Sequence, residues 1–151
     1  MDTTYTIESD NKEFYVKNNG YLGFIYNRLG WYQTTKKMES LTIKDLYSIL
    51  ADTRNKYLLD GLKITDNKGQ NISFKIDSDG CDVILETDNK KEAFIFHKDG
   101  SMDRLTQIKS SGYYILDKFD KNNNLIENKS DYWENGDNLK TVLRKFSMKE
   151  A

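Results

Sequence analysis

Residues 71–100 read NISFKIDSDGCDVILETDNKKEAFIFHKDG, and three turn signals, Asp77-Ser-Asp-Gly80, Asp88-Asn-Lys90 and Lys98-Asp-Gly100, cut this run into strand-length pieces. Between them apolar residues alternate with polar ones, as in Ile72, Phe74, Ile76 and again in Phe94, Phe96. That is the period of a strand with one buried face. The punctuation continues outward, with Asp66-Asn-Lys-Gly69 before the stretch and Ser110-Ser-Gly112 and Lys121-Asn-Asn-Asn124 after it, while Tyr113 and Ile115 keep the alternation. A turn at about every tenth residue predicts an antiparallel meander. No side-chain signature recurs at a fixed offset, so the rhythm reflects strand length and not a solenoid or propeller repeat.

Two further hairpins are expected upstream. Asn19-Gly20 would join Glu13–Val16 to Tyr21–Tyr26, and Asp60-Gly61 would join Tyr57–Leu59 to Leu62–Ile64. Two segments carry the helical period instead. The first runs from about Ile43 to Thr53, with Thr42 as N-cap, Asp45 in the first turn, Leu41 placed to staple on Leu46, and an apolar stripe of Ile43, Leu46, Ile49 and Leu50. The second follows Asp137, with Leu139, Val142, Leu143 and Phe146 on one face and cations towards its C-terminal end. No linker or composition shift divides the chain. The expected architecture is a single α+β domain over residues 1–151, an antiparallel β-meander of about seven to nine short strands with two amphipathic helices.

The composition bounds the rest. A chain of 151 residues buries roughly 68–70% of the surface exposed on unfolding, so it folds without a metal or disulfide. Only 37% of residues are apolar while 31% are charged and 13% aromatic, so the core must lean on rings. With 23 Lys+Arg against 24 Asp+Glu the formal net charge is −1, which argues against affinity gained by neutralising phosphates in bulk. Cys81 is the single cysteine. Together with the lack of a charged-then-apolar leader it predicts a cytoplasmic setting. No apolar run approaches the roughly eighteen residues of a spanning helix, so no membrane role is expected. With no proline in the chain, Gly, Asn, Asp and Ser must make the turns. The abundance of Lys, Asn, Ile and Tyr suits an AT-rich bacterial or phage genome.

Several constellations come near to known chemistry. Asn19-Gly-Tyr-Leu-Gly-Phe-Ile-Tyr26 approaches the RNA-stacking signature of the RRM sheet. Leu22 is an insertion, Tyr26 comes one place early and no basic residue precedes the glycine, and each slip turns the following ring to the opposite face. Asp120 to Asp131 places oxygen-bearing residues at several positions of an EF-hand loop, but Leu125 stands where glycine is required. A polar hairpin turn explains that stretch better, and the Asp77, Asp79, Asp82 cluster is no stronger. His97, the only histidine, ends a strand without a sequence-evident nucleophile, although Cys81 is available in principle. Ser9-Asp-Asn11 matches one fragment of the β-lactamase set without its companions. Carboxylates are plentiful, yet nothing selects an acid pair. No catalytic residue, metal site or cofactor is expected.

What stands out is aromatic. Between Gly20 and Tyr32 five rings fall together, and if the outer face of that strand is exposed then Tyr21, Arg28, Trp31 and Tyr32 form an aromatic and Arg cluster of the kind enriched at protein interfaces. Tyr132 and Trp133 form a second exposed aromatic candidate. The expectation is a small non-enzymatic protein that binds another protein and blocks or modulates it, in the manner of immunity proteins, antitoxins or phage anti-defence (anti-CRISPR-like) inhibitors. The alternative is RNA or single-stranded nucleic-acid binding, with those rings joined by Lys36, Lys37, Arg144 and Lys145. Steep loss of affinity with added salt would mark the second.

Overall fold

The computed structural model describes residues 3–10, 12–17, 32–133 and 138–148. The chain forms two compact units, Met1–Ile72 and Ser73–Ala151.

In the first unit β1 (Tyr5–Ser9) lies between β4 (Lys37–Leu41) and β5 (Leu62–Asp66), antiparallel to both. Alternation buries Tyr5, Ile7 and Ser9 on one face of β1. Helix α1 (Ile43–Ala51) starts as the sequence predicts, at Thr42. The Thr42 hydroxyl accepts from the Asp45 N–H and the Asp45 carboxylate accepts from the Thr42 N–H, a reciprocal capping box. Its stripe buries Leu46, Ile49 and Leu50.

Of the two expected upstream hairpins, the first lies partly outside the described residues and the second differs from expectation. β2 (Phe14–Lys17) pairs with β3 (Tyr32–Thr35), setting Val16 opposite Gln33, while the expected partner strand and its Asn19-Gly20 turn lie outside the described residues. Tyr57–Leu59 is not a strand. It belongs to a 3-10 segment, Thr53–Gly61, that leads straight into β5, so Asp60-Gly61 ends a helical turn and not a hairpin. The cause is local: the Asp52 carboxylate accepts the Arg54 N–H and its carbonyl the Asn55 N–H, which winds the chain, burying Asn55 and Leu58 while leaving Tyr57 exposed.

The second unit is the predicted meander: β6 (Asn71–Ser78), β7 (Cys81–Glu86), β8 (Lys90–Phe96), β9 (Met102–Ile108), β10 (Tyr113–Phe119) and β11 (Leu125–Tyr132), each antiparallel to the one before. β6 also pairs through Asn71 and Ile72 with β5. Among the described residues, nine strands, β1 and β4 to β11, enter one series of antiparallel ladders while β2 and β3 pair only with each other, and the α+β class is as expected. Ser78 and Cys81 close a two-residue turn in which Asp79 and Gly80 have φ of +53° and +77°, the twist that matches the flanking strands. The loops 66–70, 97–101 and 120–124 share another device. In each the first N–H donates to the fifth carbonyl and the fourth N–H to the first carbonyl.

Register then builds the core. Ile84, Ala93, Leu105 and Leu116 stand directly opposite one another across four strands. Helix α2 (Leu139–Met148) buries Leu139, Val142 and Phe146 in the same cluster, with Tyr114 and Cys81. The Asn138 side chain accepts the Thr141 N–H and so caps the helix start. Among the described residues no helix is long and apolar enough to cross a membrane.

Candidate protein-interaction surface

β11 ends the series of ladders, and β10 is its single partner strand among the described residues. Its six residues from Glu127 to Tyr132 run in unbroken register against Lys118 back to Tyr113, and the one irregularity falls beyond them, at Lys118/Phe119. Because strand side chains alternate, consecutive residues at the end of β11 have opposite fates. Tyr132 points outward, 67% exposed, and its ring lies 4.6 Å from that of Tyr113, the residue directly opposite. Trp133, one place on, is half-buried: its indole meets Phe146 edge-on at 4.6 Å and Tyr114 at 5.8 Å, with the Lys145 ammonium 5.9 Å from its ring centre. Trp133 thus ties the strand end to α2, and only Tyr132 of the predicted pair presents an open ring.

The other end of β11 adds Leu125 and Ile126, 55% and 64% exposed. Nothing in the sequence singles these two out, because Asn124-Leu-Ile resembles any strand start. Their signal was the lack of an opposing apolar face on a last strand. The alternation of Tyr113 and Ile115 predicts an inward face, yet Tyr114 and Leu116 are the buried hydrophobic pair of β10, and Tyr113 supports Tyr132.

The predicted cluster of Tyr21, Arg28 and Trp31 lies outside the described residues, and of Tyr32 the backbone alone is described, opposite Lys17. Of the cations, Lys36 and Lys37 belong to the first unit, where Lys37 pairs with Glu39 at 3.1 Å. Arg144 is exposed on α2, and Lys145 sits over Trp133. Along β11 the charges alternate in sign, Glu127, Lys129, Asp131, with Lys129 3.0 Å from Glu127.

Other polar groups are occupied in holding the fold. The Asp120 carboxylate accepts the N–H groups of Asn122 and Asn124, which hold its pKa below the usual carboxylate range, the Asn124 bond contributing most. The EF-hand-like stretch is a hairpin turn followed directly by β11. Asp82 accepts the Phe96 N–H at 2.7 Å, so it is spent on bracing β8. Among the described residues no three His, Cys, Asp or Glu side chains gather as a metal site. His97 makes a 3.0 Å contact with Asp103 at the surface, while burial pushes the Cys81 thiol up to about 11. A shallow groove of about 200 Å³ in the first unit is lined by Thr6, Glu8, Lys37, Glu39, Lys63 and Thr65. Glu8 stands opposite both Lys63 and Lys37 there, which balances the charge.

No protein-family model matches the chain, and neither a curated protein nor a solved structure matches it.

Proposed function

We infer that this chain is a non-catalytic protein-binding inhibitor or modulator, of the immunity-protein, antitoxin or phage anti-defence class, and that it grips its partner through the open rings of Tyr132 and Tyr113. The observation that carries the reading is the 67% exposure of Tyr132 on a rigid sheet, braced by the Tyr113 ring 4.6 Å away. A ring already held in place loses little freedom on binding, and Tyr is among the residues that most often anchor protein interfaces. Beside the rings, on their face of β11, stand the uncharged Asn128 and Ser130, which suit a protein surface better than a phosphate backbone, since the latter would call for a continuous positive stripe. The setting proposed is the cytoplasm, where the buried lone thiol of Cys81 stays reduced.

The test is affinity capture from a host lysate, with and without nuclease, using the wild type, Tyr132→Ala and Tyr57→Ala. Tyr57 is 74% exposed in the first unit and serves as the control ring. The expected result is one nuclease-resistant protein retained by the wild type and by Tyr57→Ala and lost by Tyr132→Ala. Recovery of nucleic acid, or equal capture by Tyr132→Ala, would overturn the proposal.

A further inference from the structure

The backbone edge of β11 has its own chemistry, separate from the rings on its face. Trp133 donates its N–H to the Gly112 carbonyl across the ladder. Since N–H and C=O groups alternate sides along a strand, Lys129 and Glu127 point theirs at β10, whereas Asn128 and Ser130 point theirs away from it. Tyr132 shares that outward direction, but its N–H is taken by the Asp131 carboxylate at 2.7 Å. A sheet edge of this length, regular from Glu127 to Tyr132 and without proline, is a template for another strand. The opposite case is β4, where a register shift against β1 and a φ of +58° at Ser40 break the edge, and exposed Lys37 and Glu39 guard it.

We propose that the β11 edge pairs antiparallel with β11 of a second copy of this chain, about a two-fold axis through Asn128. The sequence Glu127-Asn128-Lys129 is self-complementary in that register: Glu127 faces Lys129 of the second copy, Lys129 faces its Glu127, and the two Asn128 backbones exchange both hydrogen bonds. Ser130 then stands opposite Ile126 of the second copy. The neighbouring registers are worse. Centring on Lys129 sets lysine against lysine and Glu127 against Asp131, and centring on Glu127 sets glutamate against glutamate. Centring on Ser130 matches Lys129 with Asp131 but needs the Tyr132 N–H that Asp131 already holds, and it leaves Leu125 and Ile126 outside the seam. The chosen register leaves the Tyr113 and Tyr132 rings on the open face, one pair at each end of the seam. The partner contact proposed above uses side chains of that face and the self-pairing uses the backbone edge, so either can fail without the other.

A single-strand seam buries less than the roughly 1,200–2,000 Å² of stable complexes, so a dissociation constant on the order of tens of micromolar is expected. Sedimentation of the full chain across that range should show a monomer–dimer equilibrium. Ser130→Pro removes an outward N–H and none that faces β10, so it should stay folded by circular dichroism and become monomeric. Glu127→Lys and Lys129→Glu each put like charges in both cross-seam positions and should weaken pairing by about tenfold or more. Mixed one to one, those two variants become complementary and should form a heterodimer of wild-type affinity, which keeps the test decisive should the proline variant unfold. A wild type that stays monomeric throughout, or charge variants that dimerise alone and gain nothing on mixing, would overturn the proposal.

Discussion

Arg104 lies directly opposite Asp117 across β9 and β10, and its Nε and Nη2 both donate to one carboxylate oxygen, at 3.3 and 2.9 Å. The other oxygen accepts from Asn128 on β11 at 2.5 Å, and the guanidinium also lies 5.1 Å from the centre of the Phe119 ring. Three neighbouring strands are thereby pinned at the same level, on the face of the sheet turned away from α2.

Asp117 is 5% exposed, and its removal takes the shared acceptor from the Arg104 guanidinium and the Asn128 amide, both of which water can partly reach. Asp117→Ala is expected to cost about 2–3 kcal/mol in urea unfolding, at the modest end for a broken ion pair because Arg104 is partly solvated. Arg104→Met combined with Asp117→Leu should cost less than the two single changes added together, because neither partner is then left alone. Strict additivity in that cycle would show that the pair is incidental.

Asn55 does in the first unit what a neighbouring strand would do. Fully buried, it accepts the Tyr15 N–H at 2.7 Å and donates to the carbonyls of Tyr15 at 2.7 Å and Ile49 at 2.9 Å. Asn55→Ala leaves both Tyr15 backbone groups without this partner and the Ile49 carbonyl with the Asp52 N–H alone, and should cost about 3 kcal/mol, whereas Asn71→Ala, at an exposed strand start, should shift stability by less than about 0.5 kcal/mol. Faster amide exchange at Tyr15 in the first variant would locate the loss.

These two networks mark the limit of what the sequence discloses. The meander was legible because each strand carries its own evidence, a two-residue period between turn residues, and α1 because Thr42 and Asp45 bound it locally. Asn55 was invisible because its partners, Tyr15 and Ile49, are far along the chain or named by nothing in the pattern. Tyr57-Leu58-Leu59 misled because three apolar residues in a row have no period, and the deciding residue, Asp52, acts from outside the run. Tyr132 and Trp133 look like a pair because adjacency in sequence reads as adjacency in space, which a strand reverses.

Gly80 and Gly61 should respond oppositely to the same substitution. At Gly80, with φ of +77°, an added Cβ meets nothing nearer than the Lys140 side chain at 3.8 Å, so the cost of Gly80→Ala is backbone strain alone, about 1 kcal/mol. Gly61 lies outside the left-handed region and a Cβ there meets nothing within 4 Å. Gly61→Ala should be neutral or stabilising by up to about 1 kcal/mol, because it restricts the unfolded chain. Thermal unfolding of both variants checks the contrast, and equal destabilisation would contradict it.

Cys81 offers a built-in reporter of opening in the second unit. It is 3% exposed in the core cluster beneath α2, and burial, with Asp79 and then Asp82 nearby, raises its pKa from 9.0 to about 11. In the folded chain at pH 8 it is both shielded and protonated, so a thiol reagent should label it only as fast as the unit opens. The sign of the pH effect follows from the same shift. Between pH 9 and about 11 the unfolded chain releases the thiol proton while the folded chain keeps it, so the unfolded state gains and stability falls as pH rises. Cys81→Ala lacks this contribution. Its urea midpoint should therefore decline less steeply than the wild type's across that window, and parallel declines would mean that the thiol ionises as readily in the folded chain as in the unfolded one.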